Sequence, residues 1–177
     1  KASVPVFVQM LTNLSGILDK AAAHAAAKRF DSANFMSMRL IADMLPFARQ
    51  VQIACDHAKR ATARLAGVEP PKHADEEKSL DELKARIASV IDYLKTFKPA
   101  QIDGSEMKEI SFPGGGGTTR TYKGEQMLLH YTFPNFFFHV TTAYDILRSS
   151  GVEIGKADFV ANAPSDRKST RLNSSHT

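Results

Sequence analysis

The feature that most constrains the fold of this chain is the spacing of its apolar residues at intervals of three and four. In the stretch from about Val4 to Lys28, this spacing places the apolar side chains on one side of a helix. The stripe consists of Phe7, Met10, Leu11, Leu14, Ile17, Leu18, Ala21, Ala22 and Ala25. It predicts a first long helix with one buried face.

Boundary signals delimit a second and a third helix. Asp43 can accept backbone N–H bonds as an N-cap, so we expect the second helix to run from Asp43 to about Ala66, where Gly67 ends it. The segment 79–82 reads Ser-Leu-Asp-Glu, which is a capping box. It predicts a third helix that ends near Phe97 and carries an apolar stripe formed by Leu80, Leu83, Ile87, Val90, Ile91 and Leu94.

The periodicity changes between residues 103 and 124. Two short runs of alternating residues flank the glycines 114–117, a pattern that predicts a β-hairpin. A fourth helix is expected from Gly124 to Gly151, with a bend at Pro134 because proline removes a helical hydrogen bond. An extended segment over residues 152–159 should then pack back onto the helices.

These elements predict an all-α protein, a four-helix bundle with a small β-hairpin between helices three and four. Residues 1–164 are expected to form one domain. The segment 165–177 lacks apolar periodicity, and we interpret it as a non-native or disordered tail.

Charge and composition exclude some functional classes. The formal net charge is +4, of which +2 lies in residues 165–177, so the bundle itself carries no strong electrostatic footprint for nucleic acid. No apolar run is long enough to predict a membrane span. The single cysteine, Cys55, cannot form an internal disulfide, which favours a reducing compartment and hence the cytoplasm.

Aromatic and polar residues that could form a site are concentrated between His130 and Arg148. On a helix, Asn135, His139 and Thr142 lie on one face. The proline at position 134 should also leave the carbonyl of His130 in need of a partner.

On the second helix, a carboxylate and an amide share a face with an aromatic ring, because Asp43, Phe47 and Gln50 follow helical spacing. We therefore predict a pocket between the second and fourth helices. Its expected lining residues are Phe47, Gln50, His130 and Thr142.

The chain from Ser3 to Phe159 resembles the DinB/YfiT-like four-helix proteins, and specifically a bacterial branch of unknown function. The residues that carry the resemblance are Ala2–Phe7, Asp43–Met44, Ala48–Ala54, Pro134–Phe136, Phe138–Tyr144, Gly151–Lys156 and Asp158–Phe159.

The resemblance implies a divalent-metal protein that is often a dimer. Its metal ligands would fall on Asp43, Asn135 and His139 of this chain. Such a set is degenerate, because a neutral amide oxygen is a weak ligand for zinc or nickel. No cofactor other than a divalent ion is expected.

Two functions are compatible with these observations. The favoured one is a non-catalytic small-molecule-binding or scaffold protein, in which Gln50, Asn135 and His139 form a satisfied buried polar network. The alternative is a metal-dependent hydrolase or transferase, in which His139 is a ligand or a general base oriented by Asp43 or Asn135. In either case the resemblance implies a homodimer.

Overall fold

The computed structural model describes residues 2–164 and confirms the all-α prediction. Its four long helices are connected by the segments 29–46, 67–79 and 96–132, and the last of these contains a two-stranded antiparallel hairpin. The long helices are α1 (Val4–Lys28), α2 (Phe47–Ala66), α3 (Leu80–Lys95) and α4 (Phe133–Ser149). Shorter helical turns cover Ser32–Ser37, Pro99–Ile102, Gly115–Gly117 and Lys156–Phe159. The interpretation of the segment 165–177 lies outside the described residues.

Helix α2 is central to the packing, since it lies against both α3 and α4, while α1 packs mainly on α3. The predicted stripe of α1 is buried, with Phe7 fully enclosed and edge-on to Phe136 of α4 at 5.0 Å between ring centroids. Burial of a ring of this size stabilises the fold by about 1.5 to 3 kcal/mol. The aromatic residues of α4 that face inward therefore belong first to the core.

The predicted start of the second helix at Asp43 is wrong. Helix α2 begins at Phe47, and Asp43 lies in an exposed turn before it. The reason is Pro46, which has extended backbone with ψ of 164° and disfavours a helical conformation in the residue before it. The predicted end is confirmed, because Gly67 caps the helix with φ of 72°.

One of the two hydrogen bonds that the capping box predicts at the start of α3 is present. The Ser79 hydroxyl accepts the Glu82 N–H at 3.1 Å, as predicted. The Glu82 carboxylate accepts the N–H of Lys78 rather than that of Ser79. The helix ends at Lys95, two residues before the predicted end.

The hairpin prediction is confirmed. Strand β1 (Glu109–Pro113) pairs antiparallel with β2 (Thr119–Lys123), and the glycines 114–117 form the connection. Ser111 lies opposite Thr121, and their hydroxyl groups are 2.8 Å apart. The hairpin lies against the start of the last helix, where Phe112 contacts the ring of Tyr131.

The last helical stretch begins at Gly124, as predicted, but it contains a wide turn. Residues Met127–Thr132 are π-helical, and the N–H of Phe133 bonds the carbonyl of Leu128, five residues earlier. The Asn135 side chain donates to the carbonyl of Tyr131 at 2.6 Å. The expected disturbance at Pro134 is thus taken up by a widened turn just before it, with a side-chain amide as an added donor.

The segment after α4 is only partly extended. Val152 and Ile154 are buried, in accord with its predicted packing, but Lys156–Phe159 forms a helical turn. The prediction of a wholly extended segment is therefore wrong. Asp158 accepts the N–H of Gly155, which begins this turn. Across residues 2–164, none of the helices combines the length and apolar character needed to span a bilayer.

Candidate functional site

Helices α2 and α4 bring two polar side chains into direct contact at the edge of the core. Oε1 of Gln50 lies 2.7 Å from Nδ1 of His139. Gln50 is only 1% exposed, and its Nε2 donates to the Leu45 carbonyl at 3.0 Å. Because that bond turns Oε1 toward the imidazole, the oxygen accepts a hydrogen bond from the N–H at Nδ1. Nε2 of His139 therefore carries the lone pair.

A second histidine lies against the first. The ring of His57, on α2, is nearly parallel to that of His139, with 5.9 Å between centroids. Burial, followed by the proximity of His139 and Arg60, lowers the pKa of His57 to about 4. Burial also lowers the pKa of His139. Both imidazoles are therefore neutral at pH 7.

A cavity of about 220 Å³ lies beside His57, between α2, the hairpin and the wide turn before α4. Its wall combines charged side chains with rings, and it consists of Arg49, Ile53, Asp56, His57, Arg60, Arg64, Asp75, Phe112, Pro113, Tyr131 and Thr132. This cavity is smaller than typical pockets for drug-sized ligands, so it suits a smaller molecule.

The charged part of the wall is held by a buried ion network centred on Arg86 of α3. Arg86 is 3% exposed and contacts carboxylates of Asp56, Asp75 and Glu77 at 2.9, 2.5 and 3.1 Å. Lys59 also pairs with Asp56, at 3.2 Å. Because Asp75 and Glu77 belong to the linker between α2 and α3, the network fastens that linker to the cavity wall.

Arg64 is the exception among the cations of the wall. Arg49 pairs with Asp75 and Arg60 with Asp56, whereas Arg64 makes no ion pair within residues 2–164. Its guanidinium lies over the ring of Phe112, with Cζ 3.7 Å from the centroid. The cavity therefore presents a half-buried cation whose charge no paired carboxylate neutralises.

The chain matches the protein family described as Domain of unknown function (DUF1993) over residues 1–160. The chain belongs to this family. It is also similar to a solved structure described as a DinB family member protein from Shewanella denitrificans, with 43% sequence identity, coverage of 93% of each chain and a TM-score of 0.86. No curated protein matches it. The similarity confirms the DinB-like fold and assigns no activity to this DUF1993 chain.

The metal site predicted at Asp43, Asn135 and His139 stays a prediction. Asp43 lies in the exposed turn before α2, the Asn135 amide donates to Tyr131, and His139 bonds Gln50. The described residues contain no group of three or more His, Cys, Asp or Glu side chains placed to hold a metal ion. The donors present therefore fit a divalent ion poorly.

The four predicted pocket residues lie elsewhere than on the cavity wall. Phe47 is fully buried in the core, and His130 is exposed. The Thr142 hydroxyl donates to the Phe138 carbonyl of its own helix at 2.7 Å. Gln50, the last of the four, forms a hydrogen bond with His139, which the sequence also predicted as a site residue.

The cavity residues that sequence reasoning missed share one face of α2. Ile53, His57, Arg60 and Arg64 follow spacings of four, three and four, which would have marked a polar stripe on that helix. The spacing alone does not show which other elements this face of α2 contacts. The hairpin ring Phe112 and Tyr131 of the wide turn complete the wall from distant parts of the sequence.

Proposed function

We propose that this DUF1993 chain is a non-catalytic small-molecule-binding protein and that its ligand occupies the cavity beside His57. The observation that carries the proposal is the construction of the wall. Ion pairs to Asp56 and Asp75 hold two of its arginines, and Phe112 supports the third. A wall that is already ordered loses little conformational entropy when a ligand binds.

The chemistry of the side chains near the cavity supports binding rather than catalysis. A general base works best with a pKa near the operating pH, and the pKa of His57 is about 4. Burial raises the pKa of the Cys55 thiol to about 12, so this group is protonated and unreactive. Neither side chain is therefore an activated acid–base group or nucleophile near neutral pH.

One observation favours the alternative, a hydrolase or transferase in which His139 is a general base or a metal ligand. Gln50 holds His139 in the tautomer with its lone pair on Nε2, which is the form that accepts a proton or binds a cation. Elemental analysis of protein purified without a histidine tag tests this alternative. Stoichiometric metal that is lost on His139→Ala, with the fold intact by circular dichroism, would replace the binding proposal.

The binding proposal is tested by ligand-observed NMR with a library of small aromatic fragments. Ile53 lines the cavity and is half-buried, so Ile53→Trp should fill it. Ile91→Trp, at a partly buried position of α3, is the matched control. We expect fragments to bind the parent protein and the control but not Ile53→Trp. Fragment binding that Ile53→Trp leaves unchanged, or no binding at all, would contradict the proposal.

Two properties follow from the resemblance and the composition alone, and both stay predictions. A homodimer would double the mass measured by light scattering. A cytoplasmic location fits the single buried thiol, Cys55.

A further inference from the structure

The charge of the cavity wall indicates the class of its ligand. The network and the wall together contain five cations, Arg49, Lys59, Arg60, Arg64 and Arg86, against three carboxylates, Asp56, Asp75 and Glu77. Glu69 also attracts Arg64, beyond ion-pair distance, which leaves a surplus of one positive charge. The cavity therefore favours an anion over a neutral or cationic molecule.

Among the cations of the wall, Arg64 is the one best placed to bind an anion. Its Cζ lies 3.7 Å from the centroid of the Phe112 ring, a distance typical of stacking, in which the N–H groups at the edge of a guanidinium point away from the ring. No carboxylate of residues 2–164 pairs with that edge. A planar fork of donors forms two parallel hydrogen bonds with a carboxylate or a phosphate. The carboxylates of Asp56 and Asp75 lie in the same wall and disfavour the more highly charged phosphate, so a monocarboxylate fits better.

Rings form the other side of the cavity. The Tyr131 ring lies 5.8 Å from His57, 5.3 Å from Phe112 and 5.6 Å from Tyr122, measured between centroids. The imidazole of His57 is neutral near pH 7, so it adds a flat face without charge. Such surfaces stack well with a planar, unsaturated body.

Resting on the proposed function, we propose that the cavity binds small planar monocarboxylates, with the carboxylate on Arg64 and the unsaturated body against Tyr131. Benzoate is the probe, and benzamide is its neutral isostere. Both are titrated into the parent protein by calorimetry and by NMR. Inorganic phosphate is titrated separately as the competing anion.

Two variants and a control make the test specific. Arg64→Gln removes the charge, and Arg64→Lys keeps the charge but removes the fork. Arg148→Gln is the control, because Arg148 is exposed and makes no ion pair within the described residues. We expect the parent and the control to bind benzoate at least about tenfold more tightly than benzamide. Arg64→Gln should abolish that preference, so that benzoate and benzamide bind with equal affinity.

The outcomes separate the inference from the proposed function. Equal binding of benzoate and benzamide, both blocked by Ile53→Trp, would overturn the carboxylate inference and leave a binding cavity. Phosphate that displaces benzoate with equal affinity would overturn it as well. Absence of binding by either aromatic probe and by the fragment library would overturn the proposed function. If Arg64→Gln does not fold, loss of the benzoate preference in Arg64→Lys supports the inference, and its full retention overturns it.

Discussion

Nδ1 of His139 lies 2.7 Å from Oε1 of Gln50, a residue 89 positions earlier in the chain. The bond joins the middle of α4 to the first turn of α2, and the other end of the amide is held by the Leu45 carbonyl. The Leu45 carbonyl, the Gln50 amide and the His139 N–H thereby all have hydrogen-bond partners within the protein. The pair acts as a structural support beside the cavity.

The first prediction concerns this bond. Gln50→Leu preserves side-chain volume but leaves the Leu45 carbonyl and the His139 N–H without their partner. We expect it to lower the free energy of unfolding by about 1 to 3 kcal/mol, measured by urea denaturation. Gln126→Leu is the control, because Gln126 is exposed and water can replace its bond to the Lys123 N–H. Equal losses in the two variants would contradict a structural role for Gln50.

The second prediction concerns pH. Because the pKa of His57 is about 4 when folded and about 6.5 when unfolded, the unfolded chain binds more protons between these values. Stability from this residue is therefore complete above pH 6.5 and is lost as the pH falls toward 4. The shift in pKa corresponds to about 3 to 4 kcal/mol. Burial also lowers the pKa of His73 and His139, so their contributions to stability are likewise lost as the pH falls.

Denaturation at intervals between about pH 7 and pH 5 measures this loss. The window lies above the ordinary values of 4.5 and 3.8 at which Glu77 and Asp75 would begin to contribute. His57→Gln should make the curve shallower in this window. A variant with the same slope as the parent would show that His57 is already accessible to protons in the folded chain.

The third prediction concerns the buried guanidinium of Arg86. Arg86→Met removes the cation shared by Asp56, Asp75 and Glu77 and leaves three carboxylates facing one another. We expect a loss of about 3 to 5 kcal/mol, together with release of the linker that carries two of these carboxylates. Arg148→Met, at an exposed position, should change stability by less than about 0.5 kcal/mol. Similar losses in the two variants would mean that the ion network around Arg86 makes no measurable contribution to stability.

The fourth prediction compares two glycines. A Cβ added to Gly124 would lie 2.0 Å from the carbonyl oxygen of Ser105, which is backbone and cannot move aside easily. Gly124→Ala should therefore destabilise the protein by about 1 to 3 kcal/mol. Gly16 lies within α1 with open space around it, so Gly16→Ala should stabilise the protein by about 0.5 to 1 kcal/mol. Thermal unfolding that moves both variants in the same direction would contradict this comparison.

Local sequence signals predicted the elements of this fold well where a single physical effect dominates. The apolar stripe predicts α1, which begins at Val4 and ends at Lys28 as expected, and the glycines 114–117 mark the hairpin. The start of α2 was misplaced because an N-cap residue, Asp43, competes with the backbone restriction imposed by Pro46. The π turn before α4 could not be predicted from the sequence. It depends on the missing N–H of Pro134 and on the hydrogen bond from the Asn135 side chain to the Tyr131 carbonyl.

The candidate site was less predictable than the fold. Helical spacing identified His139 and Gln50, which the structure joins, but it also selected Asn135, whose amide bonds its own helix. The cavity depends on the position of the hairpin and of the linker relative to α2, which are tertiary properties. No spacing within one segment indicates that Phe112 lies under Arg64.

The most direct test of this account is a long-range ¹H–¹⁵N NMR spectrum of the histidine rings, recorded while benzoate is added. We predict that the His57 ring signals move as benzoate fills the cavity, while His139 stays neutral with its proton on Nδ1. Unchanged His57 signals at saturating benzoate, or a proton on Nε2 of His139 in the free protein, would contradict it.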